Sequence, residues 1–208
     1  MILDPDQLIR RERHKLLIGS ILPRPIAWVS TVDKDGAYNL APYSFFTVGA
    51  SNPMTLIFCP QVPADSDKSK KDTLRNIEEV PEFVVNITNE DTAQAMNLSA
   101  TPLPHGRSEF DWAGLTALPG TRVRAPRVAE APIAFECRLQ RIVEISPEPG
   151  GGVAVFGEVV LIHLHDNVHD GNYVILDQLK PIGRLAGAGY SRVTDTFEME
   201  RVPPPATG

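Results

Sequence analysis

The stretch Pro23 to Phe46, PRPIAWVSTVDKDGAYNLAPYSFF, decides the fold, because it joins a strand pattern, a hairpin turn and a cluster of small polar residues. Ile26 to Val32 is mostly β-branched or aromatic, Asp35-Gly36 is a strong hairpin signal, and a second extended run begins at Ala37. Two antiparallel strands therefore meet here. The second run is expected to dissolve into Asn39, Ala41, Pro42 and Ser44, poor strand formers that leave backbone N–H groups free and close to a bound molecule. The segment reads as a ligand cradle on a β-sheet.

Outward from this stretch, DQLIRRERHKLLIGSIL (6–22) sets Leu8, Ile9, Leu16 and Leu17 among charges, the pattern of a short amphipathic helix ending by Gly19 or before Pro23. Further strands are predicted over Met54 to Cys59, Phe83 to Ile87, Ile133 to Ile145 and Val153 to Leu164, with Gly150 to Gly152 as the turn between the last two. Helices are predicted over Asp72 to Val80 and Asp91 to Leu98, each opening on a Thr or Asp that can cap. Long late hairpin strands without regular βαβ alternation predict a mainly β fold, a closed antiparallel barrel with helical insertions. Between Ser99 and Pro132 a connection with five prolines is long for a compact domain and suits a functional loop.

The 208 residues suit one domain, with a core over about 16–190 and an extended or disordered tail at 202–208. A net charge of −6 without a Lys/Arg stripe leaves no footprint for nucleic acid or an anionic membrane. No leader pattern and no apolar run of about 20 residues is read, so the expectation is a soluble, cytoplasmic protein. Cys59 and Cys137, far apart in apolar runs, read as reduced core residues. GGGVAVFG (150–157) and GRLAGAGY (183–190) match neither the dinucleotide nor the P-loop spacing.

Chemistry points to SKKDTLRNIEEVPEFVVN (69–86), where Lys70, Lys71, Asp72 and Thr73 sit at a predicted helix start. First-turn N–H groups, the positive dipole end, a lysine and a hydroxyl make an anion site suited to a phosphate. Read alone, the motif also fits a helix merely capped by Asp72 or Thr73 with solvated lysines. Joined to NLAPYSFF, it implies a ligand with a flat polar head and an anionic tail, the shape of a flavin mononucleotide. His163 and His165 share a strand face and, with His169, could approach a metal, but no cysteine joins them, and no metal site is expected. His105 lies in the long loop, where it could cover a ligand or be solvated, and the spacing of Glu109 and Asp111 does not define a carboxylate pair.

PRPIAWVST, NLAPYSFF, KDTLRNI, EFVVN, the SEF of Ser108 to Phe110, the FGEVV of Phe156 to Val160 and the GRL…GY of Gly183 to Tyr190 occur in an order that resembles the flavin reductase-like FMN-binding split-barrel family, in its longer, flavoredoxin-like branch. The resemblance implies a Greek-key split β-barrel and a homodimer with one non-covalent FMN per subunit near the interface. It implies that Trp28, Ser30 and Thr31 approach the isoalloxazine, that Asn39, Ala41, Ser44 and Phe45 line its polar edge and ribityl chain, and that Lys71, Asp72 and Thr73 receive the phosphate. Arg184 would stand behind them, and Trp28 and Phe45 also suit a buried aromatic layer.

The implied activity is transfer of reducing equivalents from NADH, NADPH or a protein donor to flavin or another acceptor, the cofactor carrying the redox chemistry. The alternative is an FMN-binding electron carrier with a redox partner protein and no turnover of its own. One departure bears on the choice. Short NADH-dependent members resemble each other in a Gly-Asp-His turn before the strand matching FGEV, and here Gly150, Gly151 and Gly152 stand there, with Gly152 at the histidine position.

Overall fold

The computed structural model describes residues 1–63, 70–104 and 107–204. The strands are β1 (Ala27–Val32), β2 (Tyr38–Tyr43), β3 (Phe46–Ser51), β4 (Met54–Phe58), β5 (Glu82–Ile87), β6 (Ala117–Leu118), β7 (Arg127–Val128), β8 (Ile133–Ser146), β9 (Gly152–Leu164), β10 (Ile182–Arg184) and β11 (Tyr190–Arg192). The helices are α1 (Arg10–Ser20), α2 (Asp72–Glu79), α3 (Ala93–Leu98), α4 (Glu109–Ala113) and α5 (Leu176–Leu179). Seven strands form one antiparallel sheet in the order β2-β1-β5-β8-β9-β4-β3, and β6-β7 and β10-β11 form two small ones.

The predicted Asp35-Gly36 turn holds. Gly36 has φ +93°, and the Asp33 carboxylate accepts from the N–H groups of Asp35 (2.9 Å) and Ala37 (2.8 Å). The strand after it does not dissolve as expected but continues to Tyr43. Leu40 points its N–H away from β1, to the Glu109 carboxylate at 3.0 Å, and Pro42, two residues on, turns its nitrogen to the same free edge. At an edge the missing N–H of proline costs no ladder bond. β3, absent from the sequence reading, is a mostly exposed edge strand without the alternation that marks a half-buried one.

A closed barrel was the expectation, and the sheet is open: among the described residues β2 and β3 are edges with no ladder between them. They are nevertheless consecutive in sequence, so Tyr43 and Phe46 lie within about 10 Å by chain reach, and the sheet must curl to bring its edges together at the Ser44–Phe45 bend. The core shows this curl. Ala27 and Val29 of β1 pack in one cluster with Leu56 and Phe58 of β4, Phe83 and Val85 of β5, Cys137 of β8 and Val155 of β9, although three strands separate β1 from β4 in the sheet. Phe58 stacks edge-on to Phe83 at 5.4 Å and tilts against Tyr43 at 5.2 Å. Each fully buried ring contributes roughly 1.5–3 kcal/mol. Leu74 and Ile77 of α2 join this concave cluster.

On the convex face Ile26, Trp28, Leu40, Met96, Phe110, Val128 and Ile182 form a second cluster under α3, α4 and β10. β1 is buried on both faces. By contrast α1, read as amphipathic, buries none of its residues.

The long connection is held down by carboxylates of the sheet. Glu136 on β8 is fully buried and accepts from the N–H groups of Thr121 and Arg122, both at 2.6 Å, and from His163 Nε2 at 2.7 Å, while Glu82 accepts from Arg124 N–H at 2.8 Å. Burial alone would raise the Glu136 carboxyl, but these hydrogen bonds and the nearby His163 outweigh it and hold it below the usual range. A depressed carboxylate stabilises the fold above its unfolded value of about 4.3, and that contribution is lost as pH falls through the folded value. Glu136→Gln should therefore cost about 2–4 kcal/mol at pH 7, with the gap to wild type narrowing below about pH 4. Urea unfolding at both pH values measures it.

Candidate functional site

At the open end of the concave face, three elements meet through side-chain amides and hydroxyls. Thr31 of β1 faces Asn39 of β2 in register, and Thr31 Oγ1 accepts from Asn39 Nδ2 at 3.3 Å and from Asn76 Nδ2 of α2 at 3.1 Å. Asn39 Nδ2 also donates to Thr73 Oγ1 at 2.8 Å. Thr73 and Asn76 are one turn apart on the buried face of α2, so a helix that plugs the curled sheet with Leu74 and Ile77 also brings in two polar groups. Tyr43, two pleats along β2 from Asn39, hydrogen-bonds Thr73. Desolvation pushes its hydroxyl well above the usual phenol range, against that hydrogen bond and with help from Asp72 and Glu109, so Tyr43 stays protonated at physiological pH.

Beside this network lies a cleft of about 430 Å³ whose lining includes Tyr38, Asn39, Asp72, Arg75, Asn76 and Phe110. Asn76 is 3% exposed, and its Oδ1 has no hydrogen-bond partner in this wall. A buried acceptor left unpaired is costly, and a ligand hydroxyl would satisfy it. The cleft also carries Asp33, Glu109, Asp111 and Arg107, and Arg75 contacts Asp72 at 3.0 Å, so carboxylates outnumber guanidinium groups there. The donors suited to a phosphate are elsewhere, at the start of α2: Lys71 occupies the N-cap position with no side-chain cap, and its side chain is exposed. The simple capping role for Asp72 or Thr73 is thus not what the structure shows. Lys70 is committed to Glu78 at 2.8 Å.

The other end of β2 leads into a cationic corner. Arg24, 6% exposed, donates from Nη1 to the carbonyls of Ile18 (2.8 Å) and Ile21 (3.0 Å), from Nη2 to Leu185 (3.1 Å) and from Nε toward Ser44 Oγ (3.4 Å). Its backbone pairs with that of Arg184, and burial together with the Arg184 charge pulls its guanidinium down from the usual value. Arg184 itself holds the Gly187 and Gly189 carbonyls and lies over the Tyr190 ring at 4.6 Å. Phe45 is half-buried, and its carbonyl accepts from Cys59 N–H at 2.8 Å.

Of the residues singled out from sequence, Thr31, Asn39, Asp72 and Thr73 come together. Ala41 shares their face of β2, and Lys71 heads the same helix. Ser44, Phe45 and Arg184 gather around the bend that ends β2. Two do not fit. Trp28 and Ser30 alternate with Thr31, so they point to the convex face, and both are fully buried. The Trp28 indole N–H is used by Ser99 Oγ at 2.8 Å, and Ser30 Oγ is shared between the Pro126 carbonyl and Asn86 Nδ2. Their side chains belong to the core, on the face opposite Thr31.

Asn76, Tyr43 and Arg24, which border this region, were not singled out from sequence. Asn76 left one trace in the sequence, an amide at helical spacing on the apolar side of DTLRNIEE. In the SEF motif Ser108 caps α4, Glu109 takes the Leu40 N–H and Phe110 is buried, and all three line the cleft. His163, His165 and His169 are engaged separately, with Glu136, the Ala129 carbonyl and the Gly171 N–H. Cys59 is half-buried with its thiol pushed up by burial, and His105 lies outside the described residues.

Residues 18–180 match the flavin reductase like domain, and the chain belongs to the flavin reductase-like family. It is similar to nitrilotriacetate monooxygenase component B from Bacillus cereus, with a TM-score of 0.90 and 36% identity over 96% of this chain and 98% of that one. It is also similar to 2-nitrobenzoate 2-nitroreductase NbaA of Pseudomonas fluorescens, with a TM-score of 0.86 and 33% identity over 100% of both chains. Flavoredoxin of Desulfovibrio vulgaris (Miyazaki F), at 21% identity and a TM-score of 0.71 over 86% of this chain and 91% of that one, shares the fold. The family read from seven short motifs is borne out.

The network and the core residues separate experimentally. Thr73→Val and Lys71→Ala should each weaken flavin binding by about 1–3 kcal/mol, whereas Trp28→Phe should leave it unchanged and lower stability by about 1 kcal/mol through loss of the Ser99 bond. Fluorescence titration with FMN and urea unfolding supply the two readouts.

Proposed function

We propose that the protein is an FMN-dependent oxidoreductase that binds the cofactor non-covalently along the concave side of β2. The observation that carries this is the 2.8 Å contact between Asn39 and Thr73, which joins the NLAPYSFF segment to the amino end of α2. Asn39 to Ser44 spans about 16 Å of strand at 3.3 Å per residue, a reach suited to a nucleotide held at both ends. Lys71 and the first-turn N–H groups of α2 would take the phosphate, Asn76 Oδ1 a ribityl hydroxyl, and the Ser44–Phe45 bend the polar edge of the ring. Arg24 and Arg184, two cations at that bend, would favour the negative charge a flavin gains on reduction. The bound flavin would supply the electron-transfer chemistry, and these side chains would position it and balance its charge. The membership in the flavin reductase-like family, with a monooxygenase component and a nitroreductase among similar structures, supports this class. A homodimer with the flavin near the interface belongs to the same reading.

The second reading, an electron carrier served by a redox partner protein, is favoured by Gly152. A Cβ built there would meet the Pro60 carbonyl oxygen at 2.4 Å and Gln61 Cα at 3.0 Å, so backbone fills the place a turn histidine would need. Without that histidine a nicotinamide loses one contact on its approach. Purified protein should be yellow or take up added FMN. Anaerobic mixing with NADH and NADPH then decides: bleaching of the flavin band within enzymatic times makes it a reductase, and no bleaching of a dithionite-reducible flavin makes it the carrier. Protein that stays colourless with excess FMN removes both readings.

A further inference from the structure

The two ends of the chain carry complementary surfaces that their own fold leaves uncovered. From Val193 to Pro204 the chain is exposed, outside any helix or strand and without a hydrogen bond to the rest of the described residues. Its sequence TFEME (196–200) nevertheless alternates as a half-covered strand does: Phe197 and Met199 face one way, and Thr196, Glu198 and Glu200 the other. Phe197 is 84% and Met199 82% exposed. An apolar side and an acidic side on an exposed segment describe an arm suited to being covered.

α1 is its counterpart. It has no buried residue, and an isolated helix of this length is marginal in water. Leu16 and Leu17, about half exposed, lie three and four residues after Arg13 and share its face, and Ile21 and Leu22 continue the apolar strip. The run RRERHK (10–15) has four cations against Glu12, and none of the four is ion-paired among the described residues. The arm has Asp195, Glu198 and Glu200 against Arg201. Apolar strip matches apolar side, and basic helix matches acidic edge. The C-terminal end of α1 is tied through Arg24 to Ser44, so a chain lying on α1 would border the proposed flavin site.

We propose that residues 193–202 of one copy dock on α1 of a second copy, two arms crossing reciprocally in a two-fold dimer. This rests on the homodimer reading above and assigns the surfaces that make it. Because both surfaces are solvent-exposed in one copy, variants there leave each copy folded.

Sedimentation equilibrium of the full chain should show a dimer. Phe197→Ala with Met199→Ala, and separately Leu16→Ser with Leu17→Ser, should each raise its dissociation constant at least about 100-fold. Glu198→Lys with Glu200→Lys should also weaken it, with partial recovery when Arg13→Glu is added. Met199→Cys with Leu17→Cys should give a disulfide-linked dimer on oxidation. A dimer indifferent to all three double variants overturns the arm while leaving the homodimer reading standing, and a full chain that stays monomeric overturns both. A disulfide that forms within a monomer overturns the exchange and shows the arm folding onto its own helix.

Discussion

The contact on which the arrangement depends is the hydroxyl–amide knot of Thr31, Asn39, Thr73 and Asn76. A curled sheet needs something to fill its open end, and α2 fills it with Leu74 and Ile77. The same helix must then bury the polar half of its first turn against β1 and β2. Buried amides and hydroxyls without partners would be costly there, and register supplies the partners: Thr31 lies opposite Asn39, and both face Thr73 and Asn76. One acceptor is left over, Asn76 Oδ1, and it lies in the wall of a cleft. The same four side chains therefore close the packing and form the wall of the candidate site.

The split between β2 and β3 is the second constraint. β2 and β3 are joined by a two-residue bend yet form no ladder with each other among the described residues, each continuing a different end of the sheet. The bend stays free of a ladder. It is stabilised instead by the Cys59 N–H on the Phe45 carbonyl and by Arg24, which also terminates α1 and holds the C-terminal hairpin. A guanidinium with five donors can serve neutral acceptors from three segments at once, which a lysine could not arrange. Opposite this corner, Glu136 does the converse, one carboxylate gathering two loop N–H groups and a histidine.

Much of this was legible in the sequence where the cause was local. Gly36 marks its turn because a positive φ demands it, and the β-branched and aromatic run of AWVSTV marks a strand. The amphipathic spacing of DTLRNIEE marks α2. β3 was not legible, since an exposed edge strand with Gly49 carries no period-2 signal, nor was α1's lack of burial, since charges around leucines look alike whether or not anything covers them. At the site, Asn39 and Thr73 were read as ligand residues from separate motifs, while Trp28 and Ser30 were carried along with Thr31 because a motif ignores the alternation of faces.

By itself the sequence determined the family, the strand-rich architecture and the two segments that the candidate site joins, because strand composition, turn glycines and helix starts depend on neighbours a few residues away. Tertiary structure alone decided which face each residue of β1 occupies in the assembled sheet, that the barrel is left open at Ser44–Phe45, and that Asn76 and Arg24 stand beside the candidate site. Those depend on contacts between residues 20 to 161 positions apart in the chain, and no local pattern records which distant partner a side chain will meet.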